Sequence, residues 1–276
     1  MAKIDFDKYY TPPIVAKWCI NRCWEVIPKD SITEIIEPAA GAGSFSHQLE
    51  GCKAYDISPQ HEYIEQADFF NLELNYKEGR LMIGNPPFGT ANNGLLKRWL
   101  KQTHQWAEYS AYILTPRFYN NYEAFDGAEL IDTTIIKTYY SNQALYTAFN
   151  IYKTHPDKKK WKREYKTDKW TVIAFNKAKE VKSNITEIPD VSFIGWGNIF
   201  KLSKPWKGAN TYGIYIHDAR YKDKVKRLIT SLHSWEQDHK YFHKTSISTP
   251  GLSTNSIHRI LRTAFPEAYE EVKNNE

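Results

Sequence analysis

The sequence predicts an α/β protein, in which a doubly wound, mostly parallel sheet is followed by a smaller α+β domain. Three observations carry this expectation. Short apolar runs alternate with helical patterns between residues 33 and 177, which implies crossover connections and parallel strand pairing. "IIEPAAGAGSF" (35–45) places a small, glycine-containing turn after the first of those runs and before a helix, as occurs where such sheets bind ligands. The charge is also split along the chain: residues 1–152 hold 13 Lys/Arg against 18 Asp/Glu, and residues 153–276 hold 24 against 14.

In chain order, "YTPPIVAKWCINRCWEVI" (10–27) sets a Thr ahead of two prolines and then apolar residues at helical spacing, so it reads as a capped helix before the first strand. Strands are expected at 32–38, 52–58, 79–85, 110–116, 132–140 and 169–176, with a helical segment at 92–108. The alternation weakens near residue 178, and "NKAKEVKSNITEIPD" (176–190) reads as a linker. The expected domains are therefore 1–180 and 191–276, the second with helical patterns at 219–235 and 254–264.

A chain of 276 residues with 41% apolar and 15% aromatic residues can bury a sizeable core. No apolar run approaches the roughly 18 residues that span a bilayer, and "MAKIDFDKYYTPP" lacks the apolar stretch of a secretory signal, so a cytoplasmic location is the expectation. Cys19, Cys23 and Cys52 form no CxxC pair and have no accompanying His spacing. Cys19 and Cys23 lie four apart on one helix face, which suits packing better than a metal. The basic second half suits a polyanion partner, because Lys and Arg neutralising phosphates supply the sequence-independent part of nucleic-acid affinity; a solvated basic face has the same composition.

"LMIGNPPFGT" (81–90) places an Asn, two prolines and an aromatic ring directly after an apolar run. A proline has no N–H and a fixed φ, so the strand must stop at Asn85 and the next residues must form a rigid, donor-poor corner. In isolation that is also an ordinary strand-ending turn. Upstream, Gly41 and Gly43 let backbone approach a ligand, and Asp56, at the end of the second strand, stands where such folds grip ribose hydroxyls. The full G-x-G-x-x-G/A fingerprint is missing, which disfavours a dinucleotide and points to a nucleoside-like cofactor without a pyrophosphate.

Taken in order, "TPPIVAKWC", "IIEPAAGAGSF", "AYDISP", "QADFF" and "IGNPPFG" resemble motifs X, I, II, III and IV of the gamma class of S-adenosylmethionine-dependent DNA adenine-N6 methyltransferases, over roughly residues 9–177. The resemblance implies a Rossmann-like methyltransferase sheet, S-adenosyl-L-methionine as cofactor, and transfer of its methyl to adenine N6 after the base is flipped out of the duplex. It also implies residue roles. Thr11, Glu37, Ala39, Gly41 and Gly43 would hold the methionine end, Asp56 the ribose and Ile57 the adenine face. Asp68 would accept from the cofactor's adenine amino group, with Phe69 beside it, although an Asp there is equally a turn cap. Asn85 and the Pro86 carbonyl would accept from the target amino group, Pro87 would stiffen the corner and Phe88 would stack on the base. A second stacking wall is expected from "YTAFNIY" (146–152), at Phe149.

The partner implied is double-stranded DNA, with neither membrane nor metal, and the resemblance leaves open whether a restriction endonuclease accompanies the chain. "KTHPDKKKWKREYKTDK" (153–169) interleaves Trp161 and Tyr165 with cations, so Lys158, Lys159, Lys160, Lys162 and Arg163 are expected on the DNA backbone. The helix at 254–264 presents Asn255, His258, Arg259 and Arg262 and reads either as a groove-reading helix or as a structural one. The alternatives are an RNA adenine methyltransferase, a glutamine-modifying one with a similar Asn-Pro-Pro corner, and a catalytically idle DNA-binding relative.

Overall fold

The computed structural model describes residues 10–89, 94–119, 121, 127–140, 143–157, 164–175, 188–196, 199–202, 211–232 and 254–272. The chain divides into two compact units, Met1–Lys162 and Arg163–Glu276. Among the described residues no helix is long and apolar enough to cross a membrane.

The first unit opens with α1 (Pro13–Val26), which buries Ala16, Cys19, Ile20 and Cys23. Pro13 sits at the first helical position, where its missing N–H costs nothing. Thr11 does not cap the helix as expected. Pro12 is the N-cap, and its carbonyl accepts from the Val15 and Ala16 N–H groups. Both thiols of α1 are buried and unpaired, in keeping with a packing role.

Behind α1 lies a seven-stranded sheet built from β1 (Glu34–Glu37), β2 (Lys53–Asp56), β3 (Glu65–Gln66), β4 (Lys77–Gly84), β5 (Ala107–Leu114), β6 (Ala128–Tyr140) and β7 (Gln143–Thr154). Its order is β3-β2-β1-β4-β5-β7-β6. Only β7 runs against the others: it is antiparallel to both β5 and β6, while the remaining pairings are parallel. This is a doubly wound, Rossmann-like sheet with one reversed strand. β4 and β5 occupy its middle, where Leu81, Met82, Ile83, Ala111 and Tyr112 are wholly buried, as strands covered on both faces must be. A full helical crossover, α2 (Gly94–His104), joins β4 to β5 and buries Leu96, Trp99 and Leu100.

Several expectations are corrected. The glycine turn leads into a single 3-10 turn, Ser46–Gln48, instead of a helix, because Gly51 already turns the chain back with φ of 69° and β2 starts at Lys53. Residues 146–152, expected to supply a second stacking wall, are part of β7. The run at 169–176 lies in the other unit, as β9 (Trp170–Ala174), paired with β12 (Thr211–Ile216). The division between units therefore precedes the 176–190 segment.

The second unit is α+β. β9, β10 (Val191–Trp196), β11 (Ile199–Leu202) and β12 form an antiparallel sheet of order β11-β10-β12-β9, and β8 (Glu164–Lys166) pairs with β13 (Glu270–Val272). α3 (Lys222–Leu232) and α4 (Thr254–Ala264) cover it. Trp170, Phe193, Ile214, Val225, Ile229, Ile257 and Leu261 share one core.

An ion cluster fixes β1 against β4. The Arg80 guanidinium, nearly buried, donates to Glu34 and also to the carbonyls of Asn75 and Trp106 (2.6 and 2.9 Å), while Lys53 reaches Glu34 at 2.7 Å. Burial alone would raise the Glu34 carboxyl, but hydrogen bonds from Lys53 and Arg80 outweigh it and hold the group at about 2. Removing Arg80 leaves Glu34 to the more exposed Lys53 and Lys77 and takes a donor from the Asn75 and Trp106 carbonyls, so Arg80→Met should lose about 1–3 kcal/mol of unfolding free energy in a urea titration at pH 7. Because the Glu34 pKa is depressed, the wild-type protein holds this contribution above the ordinary carboxylate range and loses it as pH falls from about 4.5 to 2. Arg80→Met should flatten that acid limb.

Candidate functional site

Parallel strands end at a common edge, and the C-terminal edge of β1, β2 and β4 opens into a cavity of about 1080 Å³. That volume suits a nucleoside-sized cofactor with room beside it. Its wall is assembled from residues far apart in sequence: Thr11 ahead of α1, Glu37 and Ala39 after β1, Asp56 and Ile57 after β2, Asp68 and Phe69 before β4, and Asn85 to Gly89 after it.

Glu37, 2% exposed, ends β1 inside the wall, and its Oε2 accepts from the Ser46 N–H at 2.7 Å. Desolvation raises its carboxyl to about 7 against the opposing pull of that N–H. A carboxyl held there is poised to gain a cation. Asp56 ends β2 and organises backbone, Oδ2 accepting from Gly41 N–H (2.7 Å) and Oδ1 from Ser58 N–H (2.8 Å). The carboxylate is thereby oriented by two turns while keeping lone pairs for hydroxyl donors. Ile57, 66% exposed, leaves an apolar face at the cavity rim.

Gly41 takes φ of 52°, and a Cβ there would stand 3.2 Å from the Tyr10 ring. Tyr10 is held over the loop by the Gln60 side-chain amide, which donates to its hydroxyl. Gly43 does not line the cavity, contrary to expectation. The Tyr63 hydroxyl occupies the space its Cβ would need, so this glycine accommodates the protein's own tyrosine. Thr11 faces the cavity, and its carbonyl accepts from Ser44 Oγ at 2.6 Å, tying the N-terminal strap to the loop.

Asp68 is both wall and cap: Oδ1 accepts from the Phe70 N–H at 2.9 Å, closing a 3-10 turn. That turn fixes Phe69, whose ring stacks on Trp99 of α2 with centroids 3.6 Å apart and planes 13° from parallel. Trp99, Leu95, Phe70, Tyr10 and Ser44 all line the cavity and were not legible as site residues. Leu95 and Trp99 have ordinary helical spacing, which in sequence is indistinguishable from a core stripe.

β4 stops at Gly84, as the two prolines demand, and Asn85, Pro86, Pro87 and Phe88 turn into the cavity wall. Phe149 does not join them. It is wholly buried in β7, opposite Ile113 of β5, with its ring edge-on to Trp18 at 6.0 Å, so it offers no face to a base. Lys158, Lys159, Lys160, Lys162 and Arg163 lie outside the described residues. In α4, Ile257, Ile260 and Leu261 are buried, His258 Nδ1 meets the Tyr269 hydroxyl at 2.9 Å, and the Arg262 guanidinium lies 4.1 Å over Tyr165. Asn255 alone of the four candidates is exposed.

No protein-family model matches the chain. No curated protein matches it either. Among solved structures, a Pyrococcus horikoshii protein described as a candidate RNA methyltransferase is similar at 15% identity and a TM-score of 0.43, over 56% of this chain and 91% of its own. A Thermoplasma acidophilum protein is similar at 14% identity and a TM-score of 0.40, over 51% of this chain and 89% of its own.

The raised carboxyl of Glu37 works against the ligand-free fold at neutral pH. A group whose folded pKa exceeds its unfolded value favours folding below the unfolded value and loses that contribution as pH rises through the folded one, here from about 4.5 to 7. Glu37→Gln keeps an acceptor for Ser46 and carries no charge. It should therefore stabilise the protein by up to about 3 kcal/mol at pH 8 and by nearly nothing at pH 4, as read by urea titration at the two pH values.

Proposed function

We propose that this chain is an S-adenosylmethionine-dependent methyltransferase that modifies the N6 amino group of adenine in double-stranded DNA. One observation carries the reading: residues from five separated motifs, in the order that family resemblance requires, line a single cavity at the C-terminal edge of the sheet. Binding and chemistry are thus assigned to one space.

The donor set fits the cofactor. Glu37 offers a carboxylate to an ammonium group, Asp56 offers lone pairs to ribose hydroxyls, and the exposed Ile57 with the Phe69 side gives apolar surface to a purine. Asp68 adds an acceptor for the purine's amino group. S-adenosylmethionine supplies an electrophilic methyl group when bound.

The chain's own contribution to the chemistry lies in the corner after β4. The lone pair of adenine N6 is delocalised into the ring, so acceptors placed on its hydrogens favour the pyramidal geometry that the transition state needs. Asn85 supplies one acceptor and the Pro86 carbonyl the other, and two adjacent prolines keep that carbonyl from reorganising. Phe88 gives the base a stacking face, worth roughly 1–3 kcal/mol. The target atom cannot be reached inside a duplex, so the base must leave the stack. As N6 gains the methyl it releases a proton, which the amide oxygen can pass to water but not keep.

Asn85→Ala should lower methyl transfer by on the order of a hundred- to a thousand-fold, and leave cofactor affinity within a few fold, because it removes one positioned polar group at the reacting amine. Mass spectrometry of N6-methyladenine in duplex DNA incubated with the protein and cofactor measures the first, and calorimetry the second. Near wild-type turnover would refute the assigned corner, and product appearing only on RNA would move the substrate. Cofactor affinity should also fall up to tenfold per pH unit below about 7, as Glu37 takes up a proton, and Glu37→Gln should abolish that dependence.

A further inference from the structure

Residues 1–152 are acidic, yet between Glu78 and Glu108 the chain carries no carboxylate. That stretch contains the corner after β4 and all of α2, whose Lys97, Arg98 and Lys101 are exposed. Several other basic side chains of the unit are matched: Arg22 of α1 to Asp132, Lys53, Lys77 and Arg80 to Glu34, and Lys153 to Glu108. Among the described residues, none of the three on α2 takes part in an ion pair. Lys97 and Lys101 stand one turn apart, where like charges repel and cost a helix a few tenths of a kcal/mol.

The same helix borders the cavity. Leu95 and Trp99 line it, and the Arg98 guanidinium lies 4.1 Å over the ring of Phe70, another lining residue. Arg98 is therefore held beside the space assigned to catalysis, and Lys97 and Lys101 lie on the exposed face of the same helix. Their Cα positions advance by about 6 Å along the helix axis between Lys97 and Lys101, close to the separation of neighbouring phosphates on one strand.

We infer that the exposed face of α2, through Lys97, Arg98 and Lys101, is a clamp for the phosphodiester backbone of duplex DNA beside the catalytic cavity. For the identity of the polyanion the inference rests on the function proposed above; the clamp itself is a statement about charge. It assigns non-specific affinity to the catalytic unit as well as to the basic second half. It also separates a nucleic-acid substrate from a protein glutamine, which would have no use for three cations without ion-pair partners on the helix beside the cavity. Arg98, braced on Phe70, is the least mobile of the three and would fix the strand nearest the cavity.

The test measures binding of a 20-bp duplex by fluorescence anisotropy over a range of salt concentrations, using the full chain without cofactor. Each lost phosphate contact lowers the slope of log affinity against log salt by about 0.9, so Lys97→Gln, Arg98→Gln and Lys101→Gln together should lower it by about 2.7. Gln keeps helix propensity, and unchanged circular dichroism and cofactor affinity would show that the fold is intact. A paired variant, Lys97→Arg with Lys101→Arg, should keep the wild-type slope. A folded triple variant with an unchanged slope, or a wild-type chain that binds no duplex, overturns the clamp. Failure of the wild-type protein to bind S-adenosylmethionine while the slope still falls would instead overturn the proposed function and leave the clamp standing.

Discussion

The site depends on the constraint that strands in parallel register end together. Ile36 of β1 sits beside Lys53 of β2 on one flank and beside Met82 of β4 on the other. One to three residues further along each strand come Glu37, Asp56 and the Gly84–Asn85 junction. Three groups separated by up to 48 positions in sequence thus reach one edge without any direct contact having to select them. The chain needs only to keep β1, β2 and β4 parallel, and the buried apolar runs, which would expose their surface if a strand slipped, enforce that.

β1 also shows how one strand supports two opposite electrostatic states. Glu34 and Glu37 are three residues apart. Glu34, at the outer end, is surrounded by Lys53, Lys77 and Arg80 and stays ionised to about pH 2. Glu37, at the cavity end, has a backbone N–H as its partner and is pushed up to about 7 by burial. The first carboxylate is a strut and the second a vacancy for charge. Had the cations been placed at the cavity end, the fold would be more stable at neutral pH and the site would have no reason to attract a cationic ligand.

What the sequence made legible follows from which interactions are local. The strand runs at 32–38, 79–85 and 110–116 and the helix at 10–27 are set by apolar periodicity and by proline, both readable within a short window. The stop after Gly84 was legible for the same reason, since no tertiary contact can give a proline its missing N–H. The reversed strand β7 was not. "YTAFNIY" alternates too weakly to declare a strand, and only pairing to both β5 and β6 stabilises it, so Phe149 reads as a wall for a base although it is core. The run at 169–176 was recognised as a strand, but the sheet it joins is decided by the distant partner β12. Trp99 was missed because a helix face that lines a cavity and one that lines a core have the same sequence pattern.

The two glycines of the loop carry this point into the site itself. Spaced as G-x-G, they invite a single explanation in which both clear room for a ligand. Gly41 does face the cavity, beneath the Tyr10 ring, and its N–H is spent on Asp56. Gly43 clears room for Tyr63, whose hydroxyl also approaches Ser46 Oγ at 3.3 Å, next to the N–H that holds Glu37. Gln60 connects the two halves, donating its backbone N–H to the Gly41 carbonyl and its side-chain amide to Tyr10. The β2–β3 connection thus acts as a brace across the loop, and a larger residue at position 43 would disturb Glu37 through Tyr63 and Ser46 without touching a ligand. Ordering the loop in advance means that a bound cofactor need not bear the entropy of ordering it, so the brace would act on affinity through pre-organisation, from a position no contact with the cofactor would reveal.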